Sequence, residues 1–272
     1  MREVGPFAVE HERIPVQGDK AIIMGMSHRE NGVSRAPFQH LNMGFHVGDD
    51  GQDVIVNRQK FAEWLHIPLE TWIGAEQVHG NHVVNVGAED VGRGARSIET
   101  AIQGTDGMYT NHTGILLTAC FADCVPLYFY HKDDTIVGLA HAGWRGTTSE
   151  IAGQIINGFN SKLGIHPKDI HAVIGPSIQS CCYEVDDRVI SAVQAIDGLS
   201  PERVYQSNQA GKYQMSLQAL NRMILEKYGV PSEQIRVSKV CTSCHTDLLY
   251  SHRKENGHTG RMLSYIGIVG GE

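Results

Sequence analysis

The chain carries 272 residues, 41% of them hydrophobic, and a formal net charge of −7. That length buries a sizeable core without crosslinks, and the acidity gives no electrostatic reason to expect nucleic-acid binding, while leaving room for a local basic pocket around a small anion. No run reaches the roughly 18 to 20 apolar residues that span a bilayer, and the opening MREVGPFAVE lacks the apolar core of a signal peptide, so a cytoplasmic protein with no membrane partner is expected.

The 30 glycines follow no three-residue period and lie between apolar runs, as in a turn-rich α/β or α+β fold. Lys20 to Met26 reads as an apolar strand before the turn-rich HRENGVSRA. Residues 52–65 have a polar start and recurring apolar positions, which predicts a helix with Val54, Phe61 and Leu65 inward. Thr71 to Ala75 and His82 to Val86 read as strands around a QVHG turn. Ile115 to Ala119 and Thr135 to His141 are two more, delivering Cys124 and His141 close to strand ends. Thr148 to Leu163 has the length and spacing of a helix, and its N-terminus, directly after HAGWRGT, would offer unpaired backbone donors to an anion. Ile170 to Ile174 is a further strand. Met215 to Tyr228 reads as a helix with Leu217, Leu220, Ile224 and Leu225 on its apolar face. Ile235 to Val240 and Leu263 to Val269 are late strands. With no Pro/Ser-rich linker between these elements, residues 1–272 read as one α+β domain; the few, unevenly spaced helices argue against a doubly wound parallel sheet.

Three residues carry the strongest chemical signal: His79 in QVHG, Cys124 in CFADCVP and His141 in HAGWRG. Zinc favours this mixture of thiolate and imidazole, and three protein ligands leave a fourth tetrahedral position for water or substrate. Each alone is more simply a structural histidine or a buried thiol. Their spacing matches no zinc finger, so the fold would have to assemble the site from distant loops. Cys124 with a histidine could instead form a nucleophile–base pair, with Asp123 or another polar group orienting the imidazole, which would make a cysteine-dependent hydrolase. Copper also accepts such ligands, but a multicopper phenol oxidase needs many more histidines than this chain arranges.

Around these ligands, Asp106 in GTDGMYT and Asp123 are candidates for acid–base or supporting roles, against the plainer reading of turn cap and local hydrogen bond. Gln77 could orient substrate or a ligating histidine. Arg58 and Arg145 present planar donor arrays that suit phosphate, against a plain salt bridge. The C-terminal CTSCH combines a CxxC pair with the short pattern of c-type haem attachment. A four-ligand zinc there would need Cys181 and Cys182, and adjacent cysteines are awkward for tetrahedral geometry. A cluster of reduced thiols or a pocket wall is the simpler reading, and six cysteines in so long a chain do not demand disulfides.

The ordered set LNMGFHVGDD, QVHG, TDGMYT, CFADCVP, HAGWRGT, GPSIQSCCYEV and CTSCHTDLLYSHRKENGHTGRM, from about Ile22 to Ile268, resembles the YfiH/YlmD-like purine nucleoside phosphorylase family, historically described as polyphenol oxidases or laccases. The family's GPSIG stands here as GPSIQ, placing Gln179 where a permissive glycine is usual. The resemblance implies a compact layered α/β sandwich with mixed β-sheets. It implies a Zn²⁺ enzyme that cleaves adenosine and related purine nucleosides, methylthioadenosine included, with inorganic phosphate, and that also deaminates adenosine. It puts the metal on His79, Cys124 and His141, and substrate or phosphate near Asn42, Arg58 and Gln77. A purine-binding module without turnover is the non-enzymatic alternative.

In that scheme phosphate attacks the anomeric carbon, Arg58 helped by Arg145 holds the phosphate, and Asp106 or Asp123 assists the departing base. Deamination would use a water activated by zinc at the purine 6-position, without the HxE/PCxxC arrangement of nucleobase deaminases.

Overall fold

The computed structural model describes residues 2–270 apart from 4, 17, 132 and 134. Two six-stranded sheets form its middle. The first runs β1 (Arg2–Glu3), β2 (Ala8–Pro15), β3 (Ala21–Ser27), β15 (Met262–Val269), β7 (Leu116–Phe121), β4 (Trp72–Gly74). The second runs β14 (Ile235–Val237), β10 (His171–Ile174), β8 (Val125–His131), β9 (Ile136–Ala142), β6 (Gly107–Thr110), β5 (Val83–Asn85). Pairing is antiparallel in the body of each sheet and parallel where β4 meets β7, β14 meets β10 and β5 meets β6. Both sheets are thus mixed, as expected for a layered α+β sandwich. A small third sheet holds β11 (Glu184–Asp186), β13 (Lys212–Met215) and β12 (Tyr205–Gln209).

Side-chain alternation explains the layering. In β7, Leu117, Ala119 and Phe121 turn toward Tyr128, Tyr130, Val137 and Leu139 of the second sheet, whereas Leu116 faces Phe61 and Trp72. In β8, Leu127 and Phe129 face the opposite way from Tyr128 and Tyr130, onto Ile155, Ile156 and Phe159. Strands covered on both faces need apolar side chains at successive positions, and for that reason AIIMGMS and VPLYFY read as unbroken apolar runs. Helix α1 (Gly51–Leu65) covers the first sheet; α3 (Ile151–Leu163), α4 (Asp187–Gln194) and α5 (Leu217–Lys227) cover the second.

The helix boundaries follow local chemistry. Asp50 caps α1 by accepting from the Gln52 amide, and His66 ends it in the left-handed region. Val54 and Phe61 face inward as predicted, but Leu65 is only half-buried at the helix end. The helix expected over 148–163 is two: α2 (Trp144–Thr148), then α3, separated by Glu150 at φ 58°. Apolar periodicity ran through this break because residues on both sides pack on the same sheet. It also moves the anion-facing helix start away from Thr148: α3 opens on Glu150, whose carboxylate pairs with Lys227. Met215 ends β13, and α5 begins after Ser216, which accepts from the Ala219 amide, a cap contributing about 1 kcal/mol.

Candidate metal centre and active site

Where the chain leaves β7 of the first sheet and enters β8 of the second, residues 122–124 form a tight turn, with Asp123 at φ 87°. Cys124 sits on that crossover. Register Pro126↔His141 brings His141, near the end of β9, alongside it. His79, at φ 61°, lies in the loop between β4 and β5. The three ligand atoms lie within 4.8 Å of one another, and the two imidazole rings meet edge-on with centroids 4.7 Å apart. Distant loops thus form a preassembled two-nitrogen, one-sulfur cluster capable of holding a metal ion. Gly143 makes room for it: a Cβ there would stand 3.0 Å from Cys124 Sγ and 3.3 Å from His79 Cδ2.

Asp106, buried just before β6, orients the cluster. Its Oδ1 accepts from His141 Nδ1 at 2.9 Å and from the His79 amide at 3.0 Å, and its Oδ2 accepts from the Gly80 and Val78 amides at 2.7 and 3.2 Å. Burial opposes its charge, yet His141 and these amides hold the carboxyl below its ordinary range. With Nδ1–H engaged, His141 presents Nε2 to a metal, the carboxylate–histidine arrangement that fixes a ligand's tautomer. Burial would raise the Cys124 thiol, but His141 and His79 pull it down to about 6. Burial would likewise lower His141, but Cys124 and Asp106 hold it up at about 9. Without metal the pair is therefore thiolate and imidazolium at neutral pH.

The cluster opens into a cavity of about 320 Å³ whose walls include Asp123, Trp144, Tyr183, His252 and Arg261. Asp123 accepts from Thr242 Oγ1 at 2.6 Å and from the Arg253 amide at 2.7 Å. Gln77 also lines it, but its amide is engaged like a missing strand partner, donating to Cys120 O at 2.9 Å and accepting from Cys120 N at 2.8 Å.

The remaining expected ligands of substrate stand elsewhere. Arg58 is 4% exposed and faces a neighbouring cavity. Its guanidinium donates to Met43 O, Gly94 O and Ala95 O, so the donors a phosphate would need already hold two loops together. Asn42, fully buried, accepts from the Gly44 and Arg261 amides and donates to Asp49. It therefore positions Arg261 and is absent from the cavity wall. Arg145 is exposed and lies over the Trp144 ring, 4.5 Å from its centroid.

Arg261, His252, Arg253 and His46, the cavity's basic residues beside the ligand histidines, were not singled out from sequence. Pairing of Met262 with Phe121 carries Arg261 to the same sheet end as the crossover. Its Nη1 donates to Thr259 O and Gly260 O, while Nε and Nη2 donate to no described residue. The readable signal was the clustering of basic residues in the glycine-punctuated SHRKENGHTGRM.

Fold and site together define a class: α+β sandwiches with a histidine–cysteine metal-capable cluster at an inter-sheet crossover. A family model described as multi-copper polyphenol oxidoreductase laccase matches residues 23–269. The purine nucleoside phosphorylase YlmD of Bacillus subtilis is 46% identical over 252 residues, covering 93% of this chain and 90% of that protein. The crystal structure of YlmD from Geobacillus stearothermophilus superposes with a TM-score of 0.88 at 44% identity, covering 93% of this chain and 97% of that one. The Bacillus licheniformis hypothetical protein YfiH gives 0.89 at 42% identity, covering 90% and 92%. The chain belongs to this YfiH/YlmD family. Among the described residues, the groups able to hold a metal are this cluster and one of four cysteines, a donor set unlike the many histidines a multicopper centre requires. No helix of the described residues is long and apolar enough to cross a membrane.

Proposed function

We infer that the protein is a zinc enzyme of purine nucleoside phosphorolysis, acting on adenosine and related nucleosides, methylthioadenosine among them, and also deaminating adenosine. The observation that carries this reading is the oriented His79–Cys124–His141 cluster opening beside Arg261 into a cavity of about 320 Å³, within the usual range for a small-molecule site. The relatives named as purine nucleoside phosphorylases supply the substrate class. Two imidazoles and a thiolate fit zinc, which when bound supplies Lewis acidity at its open position.

The chain's own groups then divide the work. Arg261, through Nε and Nη2, holds phosphate against the repulsion of the nearby carboxylate and thiolate. Trp144 and Tyr183 offer apolar faces to the purine and ribose. A phosphate oxygen attacks C1′ as the C1′–N bond breaks. The bonding pair leaves with the base, which takes up the proton that the attacking hydrogen phosphate gives up, and the products are ribose 1-phosphate and free purine. Asp123, on the cavity wall with acceptor capacity left over, is the group that guides that proton. Asp106 stays an anion and acts by orienting His141. Deamination consumes water at C6 and releases ammonia, sharing the purine site and needing no phosphate.

Incubating the protein with adenosine, with and without phosphate, and separating adenine, inosine and ribose 1-phosphate tests the reading. Adenine should require phosphate and appear with equal ribose 1-phosphate; inosine should form without it. Absence of both products from zinc-loaded protein would reject it. Cys124, His141 and Asp106 also line up as a nucleophile–base–orienter triad, with Asp106 rather than Asp123 behind the histidine. A cysteine-dependent hydrolase would keep turning over after zinc removal and form an adduct on Cys124. His79 beside the same sulfur favours the metal.

A further inference from the structure

Away from the cavity mouth, four thiols converge from two loops. Cys181 and Cys182 lie in the turn after β10, and Cys241 and Cys244 in the loop after β14. Cys182 Sγ stands 3.4 Å from Cys244 Sγ, and Cys181 Sγ stands 3.6 Å from Cys244 Sγ and 3.7 Å from Cys241 Sγ. All four sulfurs lie within 4.8 Å of one another, and all four cysteines are free. A disulfide would bring two of them to about 2.05 Å. Four sulfurs bonded to zinc at about 2.3 Å form a tetrahedron with edges of about 3.8 Å. The observed separations match the second pattern. The turn at 180–182 lets adjacent cysteines reach the same point, which removes the steric objection raised by their adjacency.

We propose that Cys181, Cys182, Cys241 and Cys244 bind one zinc ion of their own as a tetrathiolate, structural in role and independent of what occupies the His79–Cys124–His141 cluster. Four protein ligands leave no open position, which separates this site from a catalytic one. The surroundings fit. The Gln179 amide donates to Cys241 Sγ at 3.4 Å, a contact that favours thiolate over thiol. The two loops are already stitched by a bridge between Ser177 and Cys241 and by the Thr242 amide donating to Ser177 O. On loading, one Zn²⁺ replaces four thiol protons, which pass to solvent.

This site bears on the active cavity through Asp123. The Ile178 amide donates to Asp123 O, and Thr242 Oγ1 donates to Asp123 Oδ1, so each clipped loop holds the residue that precedes Cys124. A zinc clip would therefore brace the crossover from behind.

The test uses the full chain, reduced, stripped with chelator and reloaded with zinc or cobalt without oxygen. His141→Ala removes a ligand from the other cluster, and Cys244→Ser, at an exposed position, removes one here. The wild type should take up two zinc ions per chain, each single variant one, and the double variant none. Cobalt-loaded His141→Ala protein should show strong sulfur-to-cobalt charge-transfer absorption, lost on adding Cys244→Ser. Should Cys244→Ser disturb folding, alkylation mapped by mass spectrometry on wild-type protein decides instead. Zinc should slow labelling of Cys181, Cys182, Cys241 and Cys244 at least tenfold. Zinc stoichiometry of one in the wild type that Cys244→Ser leaves unchanged, or equal labelling with and without zinc, would each overturn the proposal.

Discussion

Asp106 accepts from both the His141 ring and the His79 backbone amide through a single oxygen, at 2.9 and 3.0 Å. One carboxylate thus sets two of the three cluster residues. Asp106→Asn keeps the volume but turns a donor toward groups that themselves donate. Zinc affinity should fall about 10- to 100-fold with every ligand still present. Competition against a chromophoric chelator, with circular dichroism as the folding control, measures it. Unchanged affinity would mean that the ligands orient themselves.

The charge state of the metal-free pair gives a pH signature. Between about 6 and about 9 Cys124 is thiolate and His141 still carries the proton on its second nitrogen. A metal needs that nitrogen bare, so binding displaces one proton from His141. Apparent zinc affinity should rise about tenfold per pH unit through this window. It should level off above 9, where the proton is already gone, and fall more steeply below 6, where Cys124 must lose one too. Titration calorimetry in buffers of different ionisation enthalpy counts the protons directly; a count of zero at pH 7.5 contradicts the assignment.

The two arginines should separate by readout. Arg261→Ala is expected to raise the phosphate requirement of adenine formation at least tenfold, the loss of a charge-assisted contact of about 2 kcal/mol, with a smaller effect on inosine formation. Arg58→Ala strips donors from Met43 O, Gly94 O and Ala95 O, and should lower stability by about 3 kcal/mol or more. Initial rates across a phosphate series and urea unfolding distinguish them. If Arg58→Ala instead raises the phosphate requirement at unchanged stability, their roles are exchanged.

Cys124 and Cys120 flank the same turn but differ in chemistry. Cys124→Ala should abolish binding at the histidine–cysteine cluster. Cys120, whose thiol is pushed up by burial and donates to Met43 O, should tolerate Ala with a cost of about 1 kcal/mol and metal retained. Elemental analysis of each folded variant checks this. Equal zinc retention in both would remove the thiolate from the ligand set.

Gly143→Ala probes space rather than charge. Backbone angles of φ −68° and ψ 175° suit alanine, so folding should survive. The added methyl presses on Cys124 Sγ and His79, and zinc affinity should drop about tenfold or more. Wild-type affinity in this variant would show that the cluster can shift.

The His79–Cys124–His141 cluster was legible in the sequence because few residue types bind soft metals, and both histidines stood beside glycines, Gly80 and Gly143. Strands β3, β7, β9 and β15 were legible as apolar runs, but β8 (Val125–His131), buried on both faces and equally apolar, was not singled out, and the layering itself came only from the family resemblance. Side-chain partners were not. Arg58 and Gln77 carry donors suited to a substrate, but backbone carbonyls and a strand edge engage them first, and that competition is visible only when the loops are placed. Arg261 was obscured for the opposite reason: the pairing of β15 with β7 brings it to the cavity. The break at Glu150 had no glycine to announce it.

The crossover between sheets has a consequence for stability. Cys124 and His141 stand at the ends of the central strands β8 and β9 of the second sheet and Arg261 at the end of the first, so their separation depends on how closely the two sheets stack. Ion binding and packing are therefore thermodynamically linked. On the proposed zinc reading, the ion at a hundred times its Kd would add about 2.7 kcal/mol to the free energy of unfolding. By the same linkage, a cavity opened between the sheets, as by Leu139→Ala, weakens the hold on the ion from well inside the core.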